Sequence, residues 1–354
     1  DLRVLHVYGA RSSDFYHDLS RLYAEAVIRP DGTAHAFVEV RPDGGWRIGP
    51  EIDALGPPMG VTEAVRQLPP ADLVVPHMFC QAGMTSYRAL FEDLLGVPVV
   101  GAPADVAGLA MRKGWTRDVL AAAGLAVPEG GPVRNGTLPA DLPLPCVVKP
   151  DREDNSRGLS IVRDRAEAPA AIAAAAEFGE VIAERFVPGR EVRVAVIERA
   201  GVLHVPALIE YPVNSDNPVR AVGDKLDLSD AGTPLAKTDR AAAQPTCPAE
   251  LAPDLAAEIA AVARRAHRVL GARHYSLFDI RIETGTDRPV ILEAGLFWSF
   301  SRLSAITEML VADGQNVPHI IEMLWRDAAA KGDRRAEGAH SRAVHGRPSG
   351  RTNR

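Results

Sequence analysis

PCVVKPDREDNSRGLSIV, residues 145–162, is the stretch whose reading decides the fold. An apolar strand delivers Lys149 at its end, a loop of small and hydrogen-bonding residues follows, and Gly158 opens the next strand. Backbone N–H groups and hydroxyls in such a loop can wrap phosphate oxygens, while a lysine supplies a point charge against them. A lysine before a polar turn is, taken alone, most often a surface residue, so the weight of the reading comes from its neighbours.

Working outward, residues 145–149, 159–163 and 181–186 read as strands, with a helix over 169–178 whose Pro169 suits a first turn. Together they predict a small α+β lobe. Upstream, residues 104–123 have helical spacing that the Gly and Pro of 124–128 end. Residues 2–8 read as a buried strand, 9–13 as a turn and 18–27 as a helix; 72–76, SYRALFEDLLG and VPVVG repeat the alternation. That pattern predicts a parallel-sheet α/β domain over 1–101. Downstream, 191–197 and 202–209 form an expected antiparallel pair, 251–270 an amphipathic helix, 275–283 with 289–293 a hairpin, and 317–330 a helix. Residues 211–248 have little periodicity and read as a functional lid loop. The expected divisions are 1–101, a central lobe 102–187, a C-terminal lobe 188–330, and an Arg- and Gly-rich tail 331–354 whose composition predicts disorder.

Two further groups carry chemistry. Glu184 to Val187 form a strand-like connection, with Glu191 four residues on; backbone there can read an adenine edge and a carboxylate can hold ribose hydroxyls, although an edge strand with a solvated Glu has the same pattern. Asp279 and Glu293 emerge from apolar stretches of adjacent strands. Paired carboxylates in that setting share a cation, either a magnesium carrying a nucleotide's phosphates or an arginine in a structural ion pair.

The ordered series Lys113, Lys149 with its loop, 184–187, Glu191, Lys237, Asp279 and Glu293 resembles the ATP-grasp fold, and most closely the D-alanine:D-alanine ligases. The resemblance spans residues 2–307 and extends to GARSSD, VPHMFCQAGMTS, VVGAPADVAGLAMRKGWTRDVLAAAGLAVP and AKTDRAAAQPTCPAEL. It implies phosphate contacts by Lys113, Lys149 and Ser156, an adenine hinge at Glu184, Phe186 and Val187, and a ribose carboxylate at Glu191. It further implies a lid lysine at Lys237 that meets the transferred phosphate, and magnesium ligands at Asp279 and Glu293, with ATP as cofactor.

The departures cluster on the substrate side. Gly295 stands where the family has a magnesium-ligating Asn, and LFWSFSRLS replaces a small Pro- and Gly-containing loop, which puts Trp298 and Ser299 forward as substrate contacts. Leu277 stands in place of an oxyanion-stabilising arginine; Arg281, on the same strand face as Asp279, is the expected substitute donor or else a charge partner of Asp279 or Glu293. Thr238 and Asn155 replace a lid tyrosine and its partner serine; Asp14 matches an amine-binding glutamate, and Ser304 a serine that holds the second substrate's carboxylate.

The expectation is therefore a carboxylate-amine ligase acting on amino-acid-like substrates through an acyl phosphate, in the making of a small peptide metabolite, with an apolar partner near Trp298. An intramolecular cyclising ligase and a nucleotide-binding protein without chemistry are the alternatives, and the family resemblance suggests a homodimer. Composition excludes other classes. At 354 residues with 46% hydrophobic and 24% charged residues the chain is a multi-domain globular protein. A net charge of -6 gives no basic field for nucleic acid. Cys80, Cys146 and Cys247 lack CxxC spacing, which suits a reducing cytosol, and neither a membrane span nor a signal peptide is expected, since DLRVLHVYGA reads as a strand.

Overall fold

The computed structural model describes residues 1–153, 156–220, 225–228, 234–237 and 243–330. Asn155, Thr238 and the tail 331–354 lie outside the described residues.

The first sheet has the order β3-β2-β1-β4, from β1 (Leu2–Gly9), β2 (Thr33–Val40), β3 (Trp46–Gly49) and β4 (Leu73–Pro76). β1 pairs in parallel with β2 and β4, as the alternation predicts, whereas β3 folds back antiparallel on β2. The expected strand at VPVVG is reduced to a single parallel bridge between Val74 and Val99, because Pro98 has no N–H to extend a ladder. Helix α1 (Asp14–Glu25) starts four residues before the apolar pattern suggests, since Ser13 accepts from the Tyr16 amide and caps it. Helix α2 (Val61–Gln67) and the short turns α3 (Gln81–Met84) and α4 (Ser86–Ala89) follow.

The helix expected over 104–123 is broken into α5 (Ala104–Met111) and α6 (Lys113–Ala122). Arg112 between them is extended, at φ -92 and ψ 98. Buried Asp151 causes the break: its backbone oxygen accepts from the Lys113 amide, its Oδ1 from the Gly114 amide and its Oδ2 from Arg112 Nε. A side chain from another lobe thus caps α6 and fixes Lys113 at its first position.

The second sheet, β5-β8-β6-β7, is built from β5 (Gly130–Pro132), β6 (Cys146–Pro150), β7 (Ser160–Val162) and β8 (Val181–Arg185), with α7 (Ala168–Ala176) across it. The third has the order β10-β9-β14-β15, with β11 also on β9: β9 (Gly189–Arg199), β10 (Val202–His204), β11 (Ile209–Tyr211), β14 (Tyr275–Glu283) and β15 (Pro289–Gly295). Ala200 and Gly201 turn β9 into β10 with φ 49 and 79, the pair of positive values a tight hairpin needs. Within the lid segment, β12 (Leu226–Leu228) pairs with β13 (Pro234–Lys237). Helix α8 (Pro253–Val269) packs on the third sheet, and α9 (Ala305–Ala312) is followed by a helix over residues 317–330. Among the described residues no helix is long and apolar enough to cross a membrane.

Three histidines form a hydrogen-bonded file in the first sheet. His6 Nδ1 lies 2.9 Å from His77 Nε2, and His6 Nε2 lies 2.9 Å from His35 Nδ1. Burial holds all three in the neutral form, His77 down at about 3, His35 at about 4, and His6 well below its ordinary value. Each therefore takes up its proton on unfolding, near pH 6.5, and not in the folded state. Their contribution is complete above that pH and is lost as pH falls toward 4. His204 is lowered by burial as well, whereas His17, raised by its hydrogen bond to Glu39, and Glu308, raised by burial, run the other way, two groups against four. Urea midpoints should fall between pH 7 and 5, and His35→Gln should flatten that dependence; a midpoint that rises over the same range would contradict the assignment.

Candidate active site

Two cavities, of about 320 Å³ and about 100 Å³, meet at a shared wall that includes Lys113, Arg220, Lys225, Asp279 and Glu293. The smaller lies between the second and third sheets and is lined by Lys149, Ser156, Glu184, Phe186, Val187 and Glu191. The structure brings together all of these sequence-selected positions. Lys149 Nζ sits 2.7 Å from Glu184 Oε2, both nearly buried, because β6 and β8 are antiparallel neighbours. Ser156 has φ 62, and Gly158 at φ 70 has no room for a Cβ, which would stand 2.7 Å from the Phe178 ring. The loop between them is thus held in an unusual backbone course beside Lys149.

Asp279 and Glu293 are directly paired across β14 and β15, next to an irregularity in the register. Lys113 Nζ reaches Glu293 Oε1 at 2.6 Å. Arg193 forks Asp279 at 2.5 and 2.9 Å, and although burial opposes ionisation, this guanidinium holds the Asp279 carboxyl well below its usual range. Arg193 was not singled out from the sequence. The signal was available: Glu191-x-Arg193 on β9 faces Asp279-x-Arg281 on β14, and antiparallel pairing sets each arginine against the other strand's acid.

That register corrects the role expected for Arg281. Its Nη2 and Nε bond Glu191 Oε2 at 2.9 and 3.3 Å, Nη1 bonds the Val187 carbonyl and Nη2 the Pro218 carbonyl. It is buried on the side of the smaller cavity, where it orients Glu191; it is neither an acyl-side donor nor a partner of Asp279 or Glu293.

The larger cavity has an aromatic wall in which Phe79 and Phe297 lie 5.0 Å apart and Tyr23 lies 5.7 Å from Phe79. Lys237 from β13 is 5.2 Å above the Tyr23 ring, and Glu308 and Ser304 line the same space. Ser304 Oγ is 2.5 Å from Ser299 Oγ, which also donates to Ser301, so Ser299, itself on the lining of the larger cavity, holds Ser304 in place. Trp298 also lines this cavity. The residue is 1% exposed, and its ring stacks on Phe300 at 4.3 Å and donates Nε1 to Thr307, so most of the indole is packed in the core behind that lining. Asp14 lines neither cavity: the Ser13 cap leaves it exposed on the outer first turn of α1. Its neighbours make the contact instead, Tyr16 donating to Glu153 and Phe15 lying 4.3 Å from the Arg157 guanidinium. Gly295 is open to the cavity, and an added Cβ would meet Leu277 O at an ordinary 3.8 Å, so the backbone does not demand glycine there.

A family model described as "D-ala D-ala ligase C-terminus" matches residues 136–326. The D-alanine–D-alanine ligase of Gluconobacter oxydans is 32% identical over 304 residues, covering 84% of this chain and 94% of its own length. The chain belongs to the D-alanine–D-alanine ligase family. The structure of the D-alanine–D-alanine ligase from Coxiella burnetii superposes with a TM-score of 0.77 at 16% identity, over 98% of this chain and 99% of that one. The Bacillus anthracis ligase complexed with ATP superposes at 0.68, with 16% identity over 95% and 100%. The fold is the ATP-grasp fold of this ligase family, and the paired cavities lie within it.

Proposed function

We propose that this family member is an ATP- and magnesium-dependent carboxylate-amine ligase that joins two amino-acid-like substrates, one of them carrying an apolar side chain. The observation that carries the reading is the shared wall: a phosphate-suited pocket and a mixed aromatic-polar pocket open onto the same lysines and carboxylates. A substrate carboxylate oxygen attacks the terminal phosphorus of ATP, ADP leaves, and the substrate becomes an acyl phosphate. The amine nitrogen of the second substrate then attacks the acyl carbon, and the tetrahedral intermediate collapses with loss of phosphate and of one amine proton.

Asp279 and Glu293, paired at the junction of the two cavities, are the hard carboxylate ligands that would hold a magnesium ion arriving with the nucleotide. Bound there, magnesium would supply charge neutralisation on the phosphates. The chain supplies the rest. Lys149 and Lys113 place cationic charge along the phosphates, Lys237 closes the acceptor side over Tyr23, Ser304 holds a carboxylate, and Phe79 with Phe297 excludes water and receives the apolar side chain. A cytosolic setting goes with this reading.

Purified protein given ATP, magnesium and an amino-acid panel rich in apolar members should release ADP in step with a linear dipeptide seen by mass spectrometry. A product lighter than a single substrate by one water would mean cyclisation instead, and nucleotide binding without turnover across the panel would overturn the proposal.

A further inference from the structure

Arg220 lies just beyond β11, in the segment that returns over the third sheet. Its guanidinium lies 3.4 Å from the Tyr211 ring centre, a stacking that fixes its plane. The residue is 9% exposed, and its Nη1 has no hydrogen-bond partner among the described residues. The nearest acid oxygen, Glu191 Oε1, is 4.0 Å away, and the other oxygen of that carboxylate is taken by Arg281. Arg193 and Arg281 are each forked on a carboxylate, so the contrast within one wall is sharp. Burying a guanidinium with an unbonded donor is costly unless a ligand completes it.

Arg220 lines both cavities, at the place where they join. A group that crosses this junction and suits a planar cationic fork is a phosphoryl group. We propose that Arg220 is a phosphate-binding residue that grips the transferred phosphoryl, first as the terminal phosphate of the nucleotide and then as the acyl phosphate. The Arg281 bond to the Pro218 carbonyl secures the segment two residues before it, so the guanidinium is positioned before the ligand arrives. This inference rests on the ligase reading and adds to it a residue from the segment after β11.

The test is calorimetric titration of the full chain with magnesium ADP and with the magnesium complex of β,γ-imido ATP. Wild type, Arg220→Gln and Arg220→Lys are compared, and turnover is measured in parallel. Loss of the fork should weaken imido-ATP binding by about tenfold or more in Arg220→Gln and less in Arg220→Lys, while ADP affinity stays within about twofold; kcat should fall about 10²-fold. If Arg220→Gln fails to fold by its melting profile, Arg220→Lys carries the same ratio test with the charge retained. An unchanged ratio of imido-ATP to ADP affinity in the folded variant overturns the inference and leaves the ligase reading intact. A wild type that binds neither nucleotide overturns both.

Discussion

Lys149→Met is expected to lower ATP-driven turnover by about 10²- to 10³-fold, the usual loss when one preorganised charge is removed from a developing anion. The variant also has a structural cost. Glu184 is nearly buried, with Lys149 Nζ at 2.7 Å and Arg117 Nη1 only at 3.8 Å, so removing the lysine leaves an under-compensated carboxylate. Breaking a buried pair on one side typically costs about 3–5 kcal/mol. The two effects separate in the double variant Lys149→Met with Glu184→Gln, in which the buried charge is gone as well. Thermal melting should recover most of the lost stability, whereas kcat should stay low. A double variant that regains wild-type turnover would show that Lys149 serves Glu184 and not the nucleotide.

The same pair shows which parts of the site the sequence discloses. Lys149 at the end of an apolar strand, the polar loop after it, and the two carboxylates Asp279 and Glu293 are local features, and strand periodicity alone puts them at strand ends or on one face. What stays hidden depends on register. Arg281 and Arg193 can be assigned their acids only when β9 and β14 are known to pair with Arg281 opposite Glu191 and Asp279 opposite Arg193. The break at Arg112 is hidden for a related reason: helical spacing continues through it, and only Asp151, far along the chain, interrupts the helix and sets Lys113 at the start of α6. Asp14 misleads because its match rests on alignment with a motif, while the capping chemistry of Ser13 decides which way the first turn faces.

The aromatic run after Gly295 yields the other large effect. Read as a block, LFWSF looks like a bulky substrate wall, but Leu296, Trp298, Ser299 and Phe300 are at most 2% exposed, and Phe297 alone is half-buried, beside Phe79 on the wall of the larger cavity. Trp298 packs at 4.3 Å on Phe300 and edge-on against Tyr275, inside the cluster that also holds Trp325. Trp298→Ala should therefore cost about 3–5 kcal/mol of stability, the range for emptying a large aromatic site in a core. Amino-acid preference should be nearly unchanged in whatever fraction stays folded. Phe297→Ala should do the reverse, with a small change in the denaturant midpoint and a KM for a bulky apolar amino acid raised about tenfold relative to alanine, the scale of a few lost methylene contacts. Denaturant unfolding and paired KM measurements on both variants check this. If Trp298→Ala shifts amino-acid preference as strongly as Phe297→Ala, the indole works as part of the substrate wall and the division between core and cavity fails.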